Sequence, residues 1–126
     1  VTLGIIVFAH GSRVESANQA VRTVAADFAR SAGYSHVEAA FLELGAPDLE
    51  EAADRLAAQG VERIVVIPYF LTLGLHMERD LPSLVQAISN KHNGIVVSVT
   101  PPLDGHPALI EILKARAADA LARRLG

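Results

Sequence analysis

Two stretches of this sequence leave few options for the fold. Leu3 to Ala9 is a short, almost uninterrupted apolar run, and Ile64 to Ile67 is a second, rich in β-branched side chains. Runs this short with no polar alternation read as strands covered on both faces. Val37 to Leu42 and Ile95 to Val99 are also strand-like but contain Glu38 and Ser98, and strands that tolerate a polar residue belong at a sheet edge. Helical periodicity fills the gaps between the runs. Val14, Ala17, Val21, Val24, Ala25, Phe28 and Ala32 follow i, i+3/4, i+7 spacing, as do Leu49, Ala52, Ala53 and Leu56. Two further helices are predicted, about Asp80 to Asn90 and about Pro107 to Arg124.

Local signals mark several boundaries. Ser12 with Glu15, and Asp48 with Glu51, have capping-box spacing at two helix starts, while Gly33 and Gly60 follow two helix ends. Strand and helix thus alternate four times, which predicts a four-stranded parallel α/β sheet with right-handed crossovers and helices on both faces. With the two most apolar strands in the centre, the order is 2-1-3-4. The chain then reverses its direction of travel across the sheet between strands 1 and 3. Ligands of such sheets bind beyond the carboxyl ends of the strands at that switch point.

The chain has 126 residues, which predicts one domain over residues 1–126. A compact chain of this mass exposes about 6,500 Å² and buries about two thirds of its unfolded surface. Half the residues are hydrophobic and the 20% that are charged are spread along the chain, which excludes disorder. The longest apolar stretch, Ile64 to Leu75, is broken by Pro68, Thr72 and Gly74 and falls short of the ~20 residues of a membrane span. A net charge of −3 without Lys/Arg clusters argues against a nucleic-acid partner. With no cysteine there are no thiolate metal sites and no thiol catalysis, and the expected compartment is the cytoplasm. The chain starts at Val1 rather than Met, so it has lost its initiator or was cut from something longer.

The chemistry-bearing residues gather at the predicted switch point. His10 follows the first strand directly, and the loop after the third strand runs from Pro68 to His76. Glu43, just past the second strand, leans over the first from the other side. Two imidazoles and a carboxylate are a plausible open site for Co²⁺, Ni²⁺ or Fe²⁺, because nitrogen donors suit these metals. Each residue also has a plain structural reading. A histidine at a strand end is commonly exposed or a helix cap, and Ser12 reads as a helix cap rather than a nucleophile. Leu71, Leu73 and Leu75 read as core unless the Gly74 loop exposes them at a binding edge. His36, His92 and His106 read as structural or solvated.

Phosphate chemistry fits poorly. Gly11-Ser12 opens a helix, where backbone N–H groups attract anions, but Glu15 in the first turn competes with one. Neither G-x-x-x-x-G-K-[ST] nor G-x-G-x-x-G occurs, and Ala9 stands where an Arg-His-Gly phosphatase motif needs arginine.

Several segments together resemble the small CbiX/SirB-type class II chelatases: Phe8-Ala9-His10-Gly11-Ser12-Arg13, Ala40-Phe41-Leu42-Glu43 with Pro47, and Ile64 through Leu71. Gly74-Leu75-His76, Asp80-Leu81-Pro82 and Pro102-Leu103-Asp104-Gly105-His106-Pro107 extend the match over nearly the whole chain, with Asp104 in place of an expected small residue. Those enzymes insert Co²⁺ or Fe²⁺ into sirohydrochlorin, and related archaeal members insert Ni²⁺. The resemblance implies a chelatase half-domain in which His10 and His76 handle the metal, His10 also accepts a proton, and Glu43 lies near the metal. Larger relatives carry two such domains, so a chain of this length is expected to work as a homodimer.

The residues present suit that chemistry. Insertion needs two pyrrole N–H protons removed and a metal held loosely enough to be handed on. Imidazole both accepts protons near neutrality and binds metals. Arg13 or Arg79 offers a guanidinium group to peripheral carboxylates, and Leu71, Thr72, Leu73, Gly74 and Leu75 form the surface expected to meet the flat ring. No prosthetic group is expected, the divalent ion and the tetrapyrrole being substrates. A non-catalytic Co²⁺ or Ni²⁺ carrier uses the same histidines and stands as the alternative; it does not need the leucine-bearing loop.

Overall fold

A computed structural model describes residues 1–123. Four strands, β1 (Leu3–Ala9), β2 (Val37–Phe41), β3 (Arg63–Pro68) and β4 (Val96–Val99), alternate with four helices, α1 (Glu15–Ala32), α2 (Leu49–Ala58), α3 (Leu75–Lys91) and α4 (Ala108–Ala122). The sheet is parallel throughout, in the order β2-β1-β3-β4. The apolar strands β1 and β3 are central, as their sequences predict. Arg124, the expected end of the last helix, lies outside the described residues.

One face of the sheet carries the main core. Ile6, Phe8, Ala40, Ile64 and Val66 pack there against Leu49, Ala52, Ala53 and Leu56 of α2 and Met77, Leu81 and Ile88 of α3. The α2 start is the predicted capping box: the Asp48 carboxylate accepts from Glu51 N–H at 2.8 Å, and the Glu51 carboxylate accepts from Asp48 N–H at 3.3 Å. Gly33 ends α1 in the left-handed conformation, φ 77°, with its N–H bonded to Ala29 O.

Three expectations need correction. Ser12 does not cap α1; the cap position is Val14, and the Ser12 hydroxyl accepts from Val14 N–H in a local turn. The third helix starts at Leu75, not near Asp80, so Leu75 and His76 stand in its first turn. Pro82 suggests a helix start from sequence because proline suits a first turn, yet here it sits inside α3, between the buried Leu81 and the rest of the helix. The second face of the sheet is only partly covered. Ile5 and Val7 on β1 are buried there, but their β3 neighbours Val65 and Ile67 are half-buried, and Val96 on β4 is 64% exposed. On α1, Ala25 is the one buried residue of the predicted stripe, and α4 buries none of its residues.

Among the described residues no helix is long and apolar enough to cross a membrane.

Candidate functional site

The carboxyl ends of β1, β2 and β3 meet at one edge of the sheet. Leu42 N–H bonds to Ala9 O at 2.9 Å and Glu43 N–H to His10 O at 3.1 Å, so the pairing of β1 with β2 continues past both strands and brings the His10 and Glu43 backbones side by side. Both residues are exposed. On the other flank, Tyr69 N–H bonds to Phe8 O at 2.6 Å and carries the chain from β3 into the loop that leads to α3.

Gly11 makes the first junction possible. Its φ is +93°, and a Cβ there would sit 1.7 Å from Glu43 O. No side chain fits, so the close approach of the two loops requires glycine. Asn18 then locks the junction from below. It is 1% exposed; its Oδ1 accepts from Ser12 N–H at 2.8 Å, and its Nδ2 donates to Ser12 O at 2.9 Å and Leu44 O at 2.8 Å. One buried amide thereby ties the loop after His10 to the loop after Glu43. Sequence reading overlooked it. The available signal was a polar side chain at a position of the α1 stripe, three residues before Val21 and seven before Ala25.

The His10 ring rests on Phe70, with centroids 4.7 Å apart, and Phe70 in turn meets Phe8 in the core at 5.9 Å. An exposed imidazole is therefore oriented by a buried aromatic pair. His76 is exposed in the first turn of α3, where Arg79 Nη2 lies 3.1 Å from its Nδ1. A guanidinium only donates, so Nδ1 accepts and neutral His76 carries its proton on Nε2 in this arrangement. Metal capture at Nδ1 requires Arg79 to move aside, and Asp80, 3.4 Å from Arg79 Nε, offers it a carboxylate partner. Glu15 is occupied elsewhere: the hydrogen bond from Arg22, with a second from Asn18, holds its carboxyl below the usual glutamate range.

The loop residues divide by direction. Leu71 and Leu75 are 63% and 85% exposed, and Thr72, Gly74 and Arg13 are exposed with them. Leu73 is half-buried and packs on the core. The apolar surface offered to a ligand is thus Leu71 and Leu75. Beside it, a groove of about 390 Å³ opens between Leu42 and the Asp80, Ser83, Leu84 and Ala87 side of α3; Ser83, Leu84 and Ala87 carry no sequence signal for a site. Among the described residues no three His, Asp or Glu side chains converge as a metal-binding cluster.

The arrangement is an open, carboxyl-edge site with two exposed imidazoles, one neighbouring carboxylate and exposed leucines. The CbiX family model matches residues 4–120. The chain belongs to the CbiX family. This CbiX-family chain is 35% identical to the chloroplastic sirohydrochlorin ferrochelatase of Arabidopsis thaliana, over 90% of its own length and 50% of the plant protein's. It is 31% identical to the sirohydrochlorin cobaltochelatase of Sulfolobus acidocaldarius, over 94% of its length and 93% of the archaeal one. The fold superimposes on the crystal structure of a CbiX protein from Marinobacter aquaeolei VT8 with a TM-score of 0.84 at 27% identity, covering 96% and 98% of the two chains. It also superimposes on the cobalt complex of the sirohydrochlorin chelatase SirB from Bacillus subtilis subspecies spizizenii, TM-score 0.86 at 24% identity, a likeness of fold. There it spans 51% of the longer chain, so it matches about half of the plant and Bacillus proteins and nearly all of the other two.

Proposed function

We propose that this chain is a sirohydrochlorin chelatase, inserting Co²⁺ or Fe²⁺, with Ni²⁺ as a further candidate, into sirohydrochlorin or a close tetrapyrrole relative. The reading is supported by the pairing of the His10 and Glu43 backbones at the carboxyl edge and by the loop after β3, which leads from the same edge through the exposed Leu71 and Leu75 to His76, in a chain whose relatives of similar length include a sirohydrochlorin cobaltochelatase. In the reaction one M²⁺ enters the macrocycle and two pyrrole N–H protons leave. His10 and His76 hold the ion before transfer; as the ion leaves, His10, on a ring resting against Phe70, takes the first of these protons, and the second passes to water. Glu43 offsets positive charge as the ion arrives. A handover needs a protein that leaves coordination positions to the ring nitrogens, and two imidazoles with one carboxylate leave them. Leu71 and Leu75 receive the face of the macrocycle, and Arg13 and Arg79 meet its peripheral carboxylates. We propose further that one 126-residue domain works as half of a homodimer, because a tetrapyrrole is larger than the edge one four-stranded sheet offers.

Anaerobic insertion assays with sirohydrochlorin and each of Co²⁺, Fe²⁺ and Ni²⁺ test the reading, followed by the absorbance of the macrocycle. Turnover above the uncatalysed rate is expected with at least one metal. Tight metal binding with no acceleration for any of the three would reject the chelatase in favour of a carrier.

A further inference from the structure

His76 and Arg79 hold each other in a state that suits neither of their proposed tasks. Arg79 Nη2 lies 3.1 Å from His76 Nδ1, and Arg79 Nε lies 3.4 Å from the Asp80 carboxylate. A guanidinium has donors only, so the imidazole accepts at Nδ1 and carries its proton on Nε2. Neither nitrogen then has a lone pair to give a metal. At Nδ1 the lone pair is taken by the guanidinium. At Nε2 one becomes free only if the proton moves to Nδ1, where it would face the N–H groups of Arg79. A divalent ion beside His76 also meets the guanidinium charge at close range. One side chain thus opposes metal binding at either nitrogen.

The contact is poised to open. The Arg79 and Asp80 side chains are 72% and 56% exposed, and ion pairs so exposed are weakly held. The helix shows what opens it. Arg79 stands four residues after Leu75 on α3, and residues at that spacing are neighbours on the helix surface. An apolar ring that settles on the 85% exposed Leu75 therefore brings its rim over the guanidinium. A carboxylate on that rim is a better partner than a neutral imidazole, because it is charged and its two oxygens match the guanidinium fork. Arg79 exchanges one for the other. His76 is released, and its positive neighbour is neutralised in the same step.

We infer that Arg79 is a latch on His76 which a polycarboxylate ring opens, so that the macrocycle binds first and the divalent ion second. This rests on the proposed chelatase reading and gives it an order of binding. The exchange involves hydrogen bonds and ion pairs alone, and its coupling is reciprocal: the ring tightens the ion by the factor by which the ion tightens the ring. An ion admitted after the ring finds its acceptor in place.

Affinities read the latch without turnover. The probe is nickel uroporphyrin, a flat polycarboxylate ring whose centre is already filled by a square-planar ion. Anaerobic titration of Co²⁺ into the intact chain, with and without saturating probe, is expected to show at least about fivefold tighter binding with the ring present. In Arg79→Met the ring-free affinity is expected to rise to the parent's ring-bound value, and the ring to add little further. His76→Ala removes the acceptor, so in that background neither the ring nor Arg79→Met should tighten Co²⁺. The latch is overturned by a ring that fails to bind the parent, by a Co²⁺ affinity that ignores the ring, by coupling undiminished in Arg79→Met, or by a gain that survives in His76→Ala. Sirohydrochlorin turnover is measured on the same samples. Coupling without turnover rejects the chelatase reading and leaves the latch standing, whereas turnover without coupling does the reverse.

Discussion

Within the site, the histidines are exposed, but the Phe70 ring that orients His10 and the Asn18 amide that joins its loop to the next are buried. Asn18 satisfies backbone groups on both the Ser12 and Leu44 loops. Asn18→Ala leaves Ser12 N–H and Leu44 O without that partner and is expected to cost about 1–3 kcal/mol of stability, with slower insertion, readable as a drop in Tm and in rate. On the other flank, Arg79 occupies the Nδ1 lone pair of His76. Arg79→Met removes both that competitor and a positive charge, so Co²⁺ is expected to bind severalfold more tightly in a titration without macrocycle. Unchanged affinity would show that the metal does not use His76 Nδ1. His10 and Glu43 were legible in the sequence because each directly follows a strand, and strand ends at a switch point are where ligands gather. Asn18 was not legible, because its value lies in two loops that are 32 residues apart in the chain, at Ser12 and Leu44, and are joined only by the fold.

Among the elements, the strands were legible to within a residue or two, because an apolar run between polar segments has few other uses. The start of α3 was not. Pro82 is a start signal by composition, but burial of Met77 and Leu81 extends the helix a further turn and a half toward the site and carries His76 with it. The first turns of α2 and the last turn of α3 are joined by charge. Lys91 Nζ lies 3.1 Å from Glu50 and 2.9 Å from Asp54, and His92 Nε2 lies 2.7 Å from Asp54. Hydrogen bonds from Lys91 and then His92 hold the Asp54 carboxyl below its usual value, and those to Asp54 and Glu50 hold the Lys91 ammonium above its own. A depressed carboxyl contributes stability above its unfolded pKa and loses it as pH falls through the folded one. A raised ammonium contributes below its unfolded pKa and loses that as pH rises through the folded value. The link is therefore complete between about pH 4 and pH 10 and weakens outside that window. Asp54→Asn is expected to lower stability at pH 7 by no more than about 1 kcal/mol, since the pair is solvated, and to flatten the acid limb of a Tm-against-pH curve.

For the whole molecule, the strand order followed from the rule that parallel crossovers are right-handed and from the apolar character of two strands. The stance of α4, which stands off the sheet, did not, because periodicity reports that a helix has an apolar surface and not what covers it. The carboxyl edge of the sheet is open and carries His10 and His76, and the proposed metal insertion runs through both. Replacing each histidine in the intact chain tests that claim most directly. His10→Ala and His76→Ala are expected to lower the rate of Co²⁺ insertion into sirohydrochlorin by at least about 100-fold, the scale of a lost proton acceptor. The far-ultraviolet circular dichroism and Tm should stay near those of the parent, since both side chains are exposed. Insertion at the parent rate by either folded variant would contradict the account.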